Sequence, residues 1–212
     1  MESKNMYEEE VPMPSKVVLG QTLSSTDNNP DKSIYKEIDY GFSIKESIIY
    51  IHGDIVLGLL FDFVSKVRAI LEHRDESHKN DPITVLINSD GGDLYEALGI
   101  IDYISTLPVK VNMIARGRAM SAAALMLACT TGTRAASKMT SIMVHEISTA
   151  NQGKASDIKA NADHLQELED LTFQLLAQKS NKDEEFWRKS ARKDFFLTAA
   201  KAKEYGLIDV IV

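Results

Sequence analysis

The sequence predicts an α/β domain in which β-α units repeat around a largely parallel sheet. Two observations carry the prediction. Short apolar runs that end in glycine-rich or polar turns alternate with longer stretches whose apolar residues recur at helical spacing. The chain of 212 residues is long enough for one domain with a substantial core.

Taken in order, residues 1–40 are polar and contain proline without sustained periodicity, so they read as a flexible arm ahead of a folded domain at 41–212. Asp27, Asn29 and Asp31 have the spacing that opens a calcium loop, but Lys32 stands where such a loop needs glycine, and no metal is expected there. Ser47 to His52 reads as a buried strand closed by Gly53. Asp54 is then expected to cap a helix from Ile55 to Glu72, with Leu59, Leu60, Phe63, Val67 and Ile70 on one stripe. A charged loop to Asp81 carries His73 and His78, both expected to face solvent. The next strand, Ile83 to Ile87, ends in Asn88-Ser89-Asp90-Gly91-Gly92. A helix follows with Leu94, Ala97, Leu98, Ile101 and Ile104 in phase.

Val109 to Ala115 forms a further strand, and Gly117 is expected to turn the chain into a helix that begins at Ser121 and runs through small apolar residues to Cys129. After a polar turn, Ser141 to Val144 is a strand that delivers His145. Ser148 to Lys154 is polar. A helix from Ala155 to Lys179 then carries Ile158, Ala162, Leu165, Leu168, Leu171, Thr172 and Leu175 on its apolar face. That is long for a small domain, so the helix is expected to project and bury this face on another subunit. Asp183 to Arg192 is a shorter helix around Trp187, Thr198 caps the last helix, and Leu207 to Val212 closes the chain as a strand. No internal repeat is present.

Hydrophobic residues make up 44% and charged residues 26%, as in ordinary globular proteins. A net charge of −7 argues against a nucleic-acid surface, which needs clustered Lys and Arg. The single cysteine, Cys129, excludes an internal disulfide and reads as a small buried hydrophobe. Glu8, Glu9 and Glu10 are the wrong chemistry for a secretory signal, and the longest apolar run, Ala119 to Cys129, is too short to span a bilayer. The expected location is cytoplasmic, away from membranes.

Three polar residues could carry acyl-transfer chemistry. Ser121 opens a helix, where free N–H groups and the positive dipole end favour a developing anion. It could equally be a plain helix cap. His145 ends a strand and could serve as a base or simply pack. Asp194 could orient that base or be a solvated charge beside Lys193. The Gly91-Gly92 turn lets backbone approach a ligand, so the Gly92 N–H could pair with that of Ala122 as an oxyanion hole.

With those residues in view, the chain resembles the Clp protease proteolytic subunit (ClpP) family. Ile87 to Gly92 looks like its Ile-Asn-Ser-Pro-Gly-Gly, and Gly117 to Ser121 like its Gly-x-Ala-x-Ser. Ile142 to His145 looks like its Met-Ile-His strand, and Gln152 to Ile158 like its Gln-Gly-x-Ala-x-Asp-Ile. Asp194 to Thr198 and Glu204 to Asp209 look like its Asp-Arg-Phe-Leu-Ser and Glu-Tyr-Gly-Leu-Val-Asp. The ordered set covers about Ser47 to Val212.

The resemblance implies a crotonase-like α/β fold with a protruding handle helix. It implies a serine endopeptidase with Ser121 as nucleophile, His145 as general base, Asp194 as orienting acid, and Gly92 and Ala122 as oxyanion donors. It further implies a homo-oligomer of two stacked heptameric rings acting on peptides and unfolded proteins. A separate AAA+ unfoldase would be its partner, and no cofactor is called for. The segment Glu146 to Gln152 would pair with an extended peptide. Several positions depart from the pattern. Asp90 replaces a proline, Ala122-Ala123 replaces Met-Gly, Glu146-Ile147 replaces Gln-Pro, and Ser148 to Asn151 replaces a glycine-rich stretch. Thr84 and Leu86 stand where the family often has aromatics that dock the ATPase. These departures suit a divergent member, phage-encoded or accessory. Other readings are a weakly active or regulatory ring subunit, a crotonase-like enzyme acting on acyl-CoA, and a Ser/Lys signal-peptide peptidase.

Overall fold

The computed structural model describes residues 41–150 and 152–212. The expected arm at 1–40, with Asp27, Asn29 and Asp31, lies outside the described residues, as does Asn151. Within the described residues eight strands form one sheet: β1 (Phe42–Ser43), β2 (Ile48–His52), β3 (Ile83–Ser89), β4 (Val111–Met120), β5 (Arg134–Ala136), β6 (Ser141–Val144), β7 (Phe195–Thr198) and β8 (Val210–Ile211). Among the described residues six helices accompany them: α1 (Leu59–Glu72), α2 (Leu94–Ser105), α3 (Ala122–Cys129), α4 (Ala155–Gln178), α5 (Glu184–Ala191) and α6 (Ala199–Glu204). The pairs β2–β3, β3–β4, β4–β5, β4–β6 and β5–β8 are parallel, while β1–β2 and β6–β7 are antiparallel. The repeated β-α units and the long helix are therefore those the sequence predicts.

Strand β4 is the branch point. Its first half, Met113 to Ala115, pairs with β5, and its last three residues, Arg118 to Met120, pair with β6. The shift lies at Gly117. Between Ile87↔Ala115 and Ser89↔Ala119, β4 carries two more residues than β3. Gly117, at φ +81°, sits inside this irregularity. It bends a continuing strand and does not end one, so β4 runs five residues past the expected Ala115.

Two other boundaries differ. Helix α1 begins at Leu59 because the Ile55 backbone is already engaged. Ile55 donates to the Gly91 carbonyl and accepts from the Asp93 N–H, each at 2.7 Å. Asp54 is therefore not the cap. Gly58 occupies that position without a side-chain bond, and a residue of the next helix takes over the role: the Glu96 carboxylate accepts the Leu60 N–H at 2.7 Å. Strands β5 and β7 fall where the sequence shows only a polar turn and the Asp194-to-Thr198 motif. Both are short and gain their hydrogen bonds from neighbouring strands.

The core lies between the sheet and α1, α2 and α3. Phe63, Val67 and Ile70 of α1 are buried, as are Ala97, Ile100 and Ile104 of α2. Every residue of α3 is buried, which explains its apolar composition on all sides. Cys129 ends that helix, and burial pushes its thiol up to about 11. It is a packed hydrophobe and not a nucleophile. Residues 155–164 of α4 are exposed, whereas Phe173 and Leu176 are buried. The second half of α4 thus packs on the rest of the chain and the first half projects. Among the described residues, no helix is long and apolar enough to cross a membrane.

Arg134 closes the far edge. Its guanidinium pairs with the Asp209 carboxylate and donates to the Gly206 carbonyl at 2.7 Å, while its backbone N–H donates to Asp209 Oδ2 at 2.9 Å. The hydrogen bond from the Arg134 side chain holds the Asp209 carboxyl below the usual range. A depressed carboxyl contributes stability that is present above its unfolded pKa, about 3.9. That contribution is lost as pH falls through the lower folded value. Asp209→Asn should therefore lower the melting temperature at pH 7, and wild type and variant should converge as the medium is acidified below pH 4. Thermal melts from pH 7 to pH 2 test this, and a constant gap throughout would refute the assignment. On the other side of the domain, Glu96→Ala should cost about 1–3 kcal/mol in urea unfolding, because the Leu60 N–H loses a partly buried acceptor.

Candidate active site

Sheet register assembles the site. Met120 of β4 stands opposite Met143 of β6, and the next residue, Ser121, donates its N–H to the Met143 carbonyl at 2.8 Å. His145 is the first residue after β6. Val144 pairs with Phe195 in the antiparallel β6–β7 ladder, so one step further places His145 across from Asp194. Residues separated by up to 73 positions along the chain thus meet through two strand pairs.

Ser121 has φ +54° and ψ −124°, a left-handed conformation that is unusual for a residue with a β-carbon. Such strain costs about 1–3 kcal/mol and persists only where the surroundings enforce it. Here the Met143 carbonyl holds the Ser121 N–H, and the Ser121 carbonyl accepts from Ala124 and Leu125. The buried helix α3 fixes the other side. The plain helix-cap reading does not hold, because the Ser121 side chain makes no cap bond. Its Oγ instead lies 2.8 Å from His145 Nε2. The other ring nitrogen, Nδ1, is 3.5 Å from Asp194 Oδ1. The His145 side chain is 27% exposed and that of Asp194 59%. The structure therefore brings together all three side chains singled out in the sequence, with a short serine–histidine leg and a longer, wetter histidine–aspartate leg.

Asp194 gets its position from an aromatic cluster. The next residue, Phe195, stacks on Tyr205 with centroids 6.4 Å apart and meets Phe186 edge-on at 6.1 Å. Phe186 in turn meets Trp187 edge-on. Trp187 is fully buried and donates its indole N–H to Ser180 at 2.9 Å.

The Gly91-Gly92 turn faces Ser121. A β-carbon on Gly91, at φ +96°, would lie 2.6 Å from the Met120 carbonyl oxygen and 2.7 Å from Ser121 Cβ. One on Gly92, at φ +140°, would lie 2.2 Å from the Ile55 carbonyl oxygen. Only glycine fits at either position. The Gly91 N–H is spent on Ser89 Oγ at 3.0 Å. The Gly92 and Ala122 N–H groups make no hydrogen bond among the described residues, and both residues line the cleft that holds Ser121 and His145. Two donors are thus left available beside the hydroxyl.

That cleft encloses about 420 Å³. Beyond the polar centre its wall is apolar: Leu125 of α3 and Leu165, Leu168 and Leu176 of α4. Leu165 and Leu168 belong to the face expected to pack on another subunit, and here they line the cleft. Three contacts had no sequence signal. Glu169 accepts the Ile147 N–H at 3.1 Å and so anchors the segment after His145. Arg118 pairs with Asp90 at 2.8 Å beside the glycine turn. Tyr95 of α2, which lines the cleft, meets His164 of α4 at 3.0 Å. Glu146, the extra charge after His145, is exposed and donates its N–H to the Ala191 carbonyl at 2.9 Å. Among the described residues, no group of three His, Cys, Asp or Glu side chains gathers as a metal site.

The family model described as Clp protease matches residues 32–212. Among similar proteins, an ATP-dependent Clp protease proteolytic subunit of Bacteroides thetaiotaomicron is 36% identical over 148 residues, covering 69% of this chain and 67% of its own. A proteolytic subunit 2 of Frankia casuarinae is 34% identical over 176 residues, 82% of this chain and 78% of its own. A proteolytic subunit 1 of Prochlorococcus marinus is 30% identical over 174 residues, 82% of this chain and 87% of its own. The chain belongs to the Clp protease family, and its mixed α/β architecture is the crotonase-like arrangement of that family.

The packing around the turn yields a direct test. Gly92→Ala should destabilise the fold by about 2 kcal/mol or more, since neither the φ nor the space admits a β-carbon. Urea unfolding that leaves the midpoint unchanged would show that the turn can relax.

Proposed function

We propose that this Clp protease family member is a serine endopeptidase whose peptidase domain spans 41–212. Ser121 is the nucleophile, His145 the general base and Asp194 the acid that orients it. The observation that carries the proposal is the 2.8 Å contact between Ser121 Oγ and His145 Nε2, made by a serine held in a left-handed conformation at the mouth of a buried helix.

A serine hydroxyl is too weak an acid to attack at neutral pH without a base. With the His145 proton on Nδ1, facing Asp194, Nε2 is free to accept the hydroxyl proton as Oγ bonds to the peptide carbonyl carbon. The imidazolium that forms is stabilised by the Asp194 carboxylate and then protonates the leaving amine. Water hydrolyses the ester by the reverse use of the same groups. The Gly92 and Ala122 N–H groups receive the negative charge on the carbonyl oxygen. A well-placed donor of this kind contributes about 3–4 kcal/mol to the transition state. Substrate backbone would lie along Glu146 to Gln152 as an added strand.

Family membership supports a wider setting: a homo-oligomer of two stacked heptameric rings, acting on peptides and unfolded protein in the cytoplasm. The sequence has no Gly-x-x-x-x-Gly-Lys-Ser/Thr loop for ATP hydrolysis, so folded substrates would need a separate AAA+ unfoldase. The projecting first half of α4 is the surface through which rings would interlock. One observation favours the second reading, a weakly active or regulatory ring subunit: the His145–Asp194 separation of 3.5 Å with a mostly exposed carboxylate.

Labelling with a serine-reactive fluorophosphonate separates the two. The intact protein should label on Ser121, and Ser121→Ala should abolish labelling and lower peptide hydrolysis by roughly 10⁴- to 10⁶-fold. Asp194→Asn should lower kcat by roughly 10²- to 10⁴-fold while the fold persists. Labelling that survives in Ser121→Ala would remove that residue from its role. An assembled particle that neither labels nor cleaves would establish the regulatory reading.

A further inference from the structure

We infer that Glu146 gives the site a charge preference: a peptide with Lys or Arg beside the scissile bond is favoured, and one with Asp or Glu there is disfavoured. The inference rests on the serine-peptidase reading above and names the substrate class of that same site. Glu146 directly follows His145 and lines the cleft that holds Ser121. Asp90 and Asp93 line it too, but both are engaged. Asp90 pairs with Arg118 at 2.8 Å, and Asp93 Oδ1 accepts the Tyr95 and Glu96 N–H groups at 2.8 and 3.2 Å at the start of α2. Glu146 is exposed, and its side chain makes no hydrogen bond or ion pair among the described residues. Among the same residues, no Lys or Arg lines the cleft. The charge left for a ligand there is therefore negative and belongs to Glu146.

Backbone fixes where that charge sits. The Glu146 N–H donates to the Ala191 carbonyl at 2.9 Å, and the next N–H, of Ile147, donates to Glu169 at 3.1 Å. Residue 146 is thus tied to the domain one step from the base, in the segment along which substrate backbone would lie. Side chains of neighbouring strands meet in such a pairing, where opposite charges attract and like charges repel. The apolar wall of Leu125, Leu165 and Leu168 strengthens the effect, because a low-dielectric surface screens charge less than water does. Arg192 and Lys193 share a second, more open depression with Glu146 and Asp194, but neither lines the cleft. Both are exposed, and neither pairs with Glu146 among the described residues. The family pattern has glutamine where this chain has Glu146, so the charge is this chain's own.

The test uses the full-length protein and an unstructured peptide whose cleaved bond is mapped by mass spectrometry. The second residue before that bond, and the first and second after it, are replaced one at a time by Lys, Gln or Glu, and kcat/KM is measured for each peptide. At one or more of these positions the Lys peptide should be cleaved about three- to tenfold faster than the Glu peptide at low ionic strength, with Gln between them. The ratio should fall below about twofold in 1 M NaCl, where exposed charges are screened. Glu146→Gln should bring the Lys-to-Glu ratio to about one, and Glu146→Lys should reverse it. The ratio within a single variant is the readout, so a general loss of activity in that variant does not imitate the effect. A wild-type ratio near one at all three positions overturns the inference, and so does a ratio that Glu146→Gln leaves unchanged within about twofold. Labelling by a fluorophosphonate without cleavage of any peptide in the series overturns it as well. Absence of both labelling and cleavage instead overturns the nucleophile assignment beneath it.

Discussion

The hydrogen bond from the Ser121 N–H to the Met143 carbonyl sets the geometry on which the site depends. It extends the β4–β6 ladder one residue beyond the last strand pair, at the point where β4 gives way to α3. Break that register by one residue and every side chain of β6 would change faces. His145 would then point away from Ser121, and β7, paired to β6, would carry Asp194 away as well. The fork in β4 makes this register possible. Its first half serves β5 and the closing edge around Arg134 and Asp209, and its second half, beyond the irregularity at Gly117, serves β6 and the site. One strand thus divides a stabilising edge from a reactive one.

The strain at Ser121 is consistent with this division. A left-handed serine costs about 1–3 kcal/mol, a noticeable share of the 5–15 kcal/mol by which a domain of this size is stable. The cost is tolerated because α3 is buried on all sides and cannot rotate to relieve it. Relaxing φ at Ser121 would swing an entire apolar helix, with Leu125, Met126 and Leu127, out of a packed core. Burying those side chains contributes about 1.5–3 kcal/mol each. The apolar run after Ser121 therefore does more than fill the core: it forces the hydroxyl into the cleft.

Much of this was legible in the sequence, and the reason lies in local pattern. The strand Ser141 to Val144, the helices around Phe63, Ile100 and Trp187, and the Thr198 cap all follow from periodicity and capping chemistry within a few residues. The boundary errors share one cause, competition from distant backbone. Ile55 leaves the expected first helix because it bonds to Gly91 and Asp93, and β4 outruns Ala115 because β6 offers it partners. Neither partner lies within a helical turn or a hairpin's reach. Glu169 was illegible for a related reason. Nothing separates it from Glu167 on the same helix until the segment after His145 is placed against it.

The departures from the family pattern show how such sites tolerate change. Two positions where the family has proline carry other residues here, and each gains a charged contact: Asp90 with Arg118, and the Ile147 N–H with Glu169. The contacts are not equal. Asp90 and Arg118 are about half exposed, and an ion pair of that kind contributes roughly 0–1 kcal/mol. It cannot be what fixes the glycine turn. That work falls to the two 2.7 Å backbone bonds at Ile55 and to the Gly91 N–H bond with Ser89, none of which depends on residue 90's side chain. Position 90 is therefore free to vary so long as Gly91 and Gly92 remain. Position 147 is different. Replacing proline there adds an N–H donor to a segment packed against α4, and an N–H left without a partner in such a place costs about 1–3 kcal/mol. Glu169 removes that cost. The glycine turn is thus held by backbone, and the segment after His145 by a side chain of the helix whose far end projects from the domain.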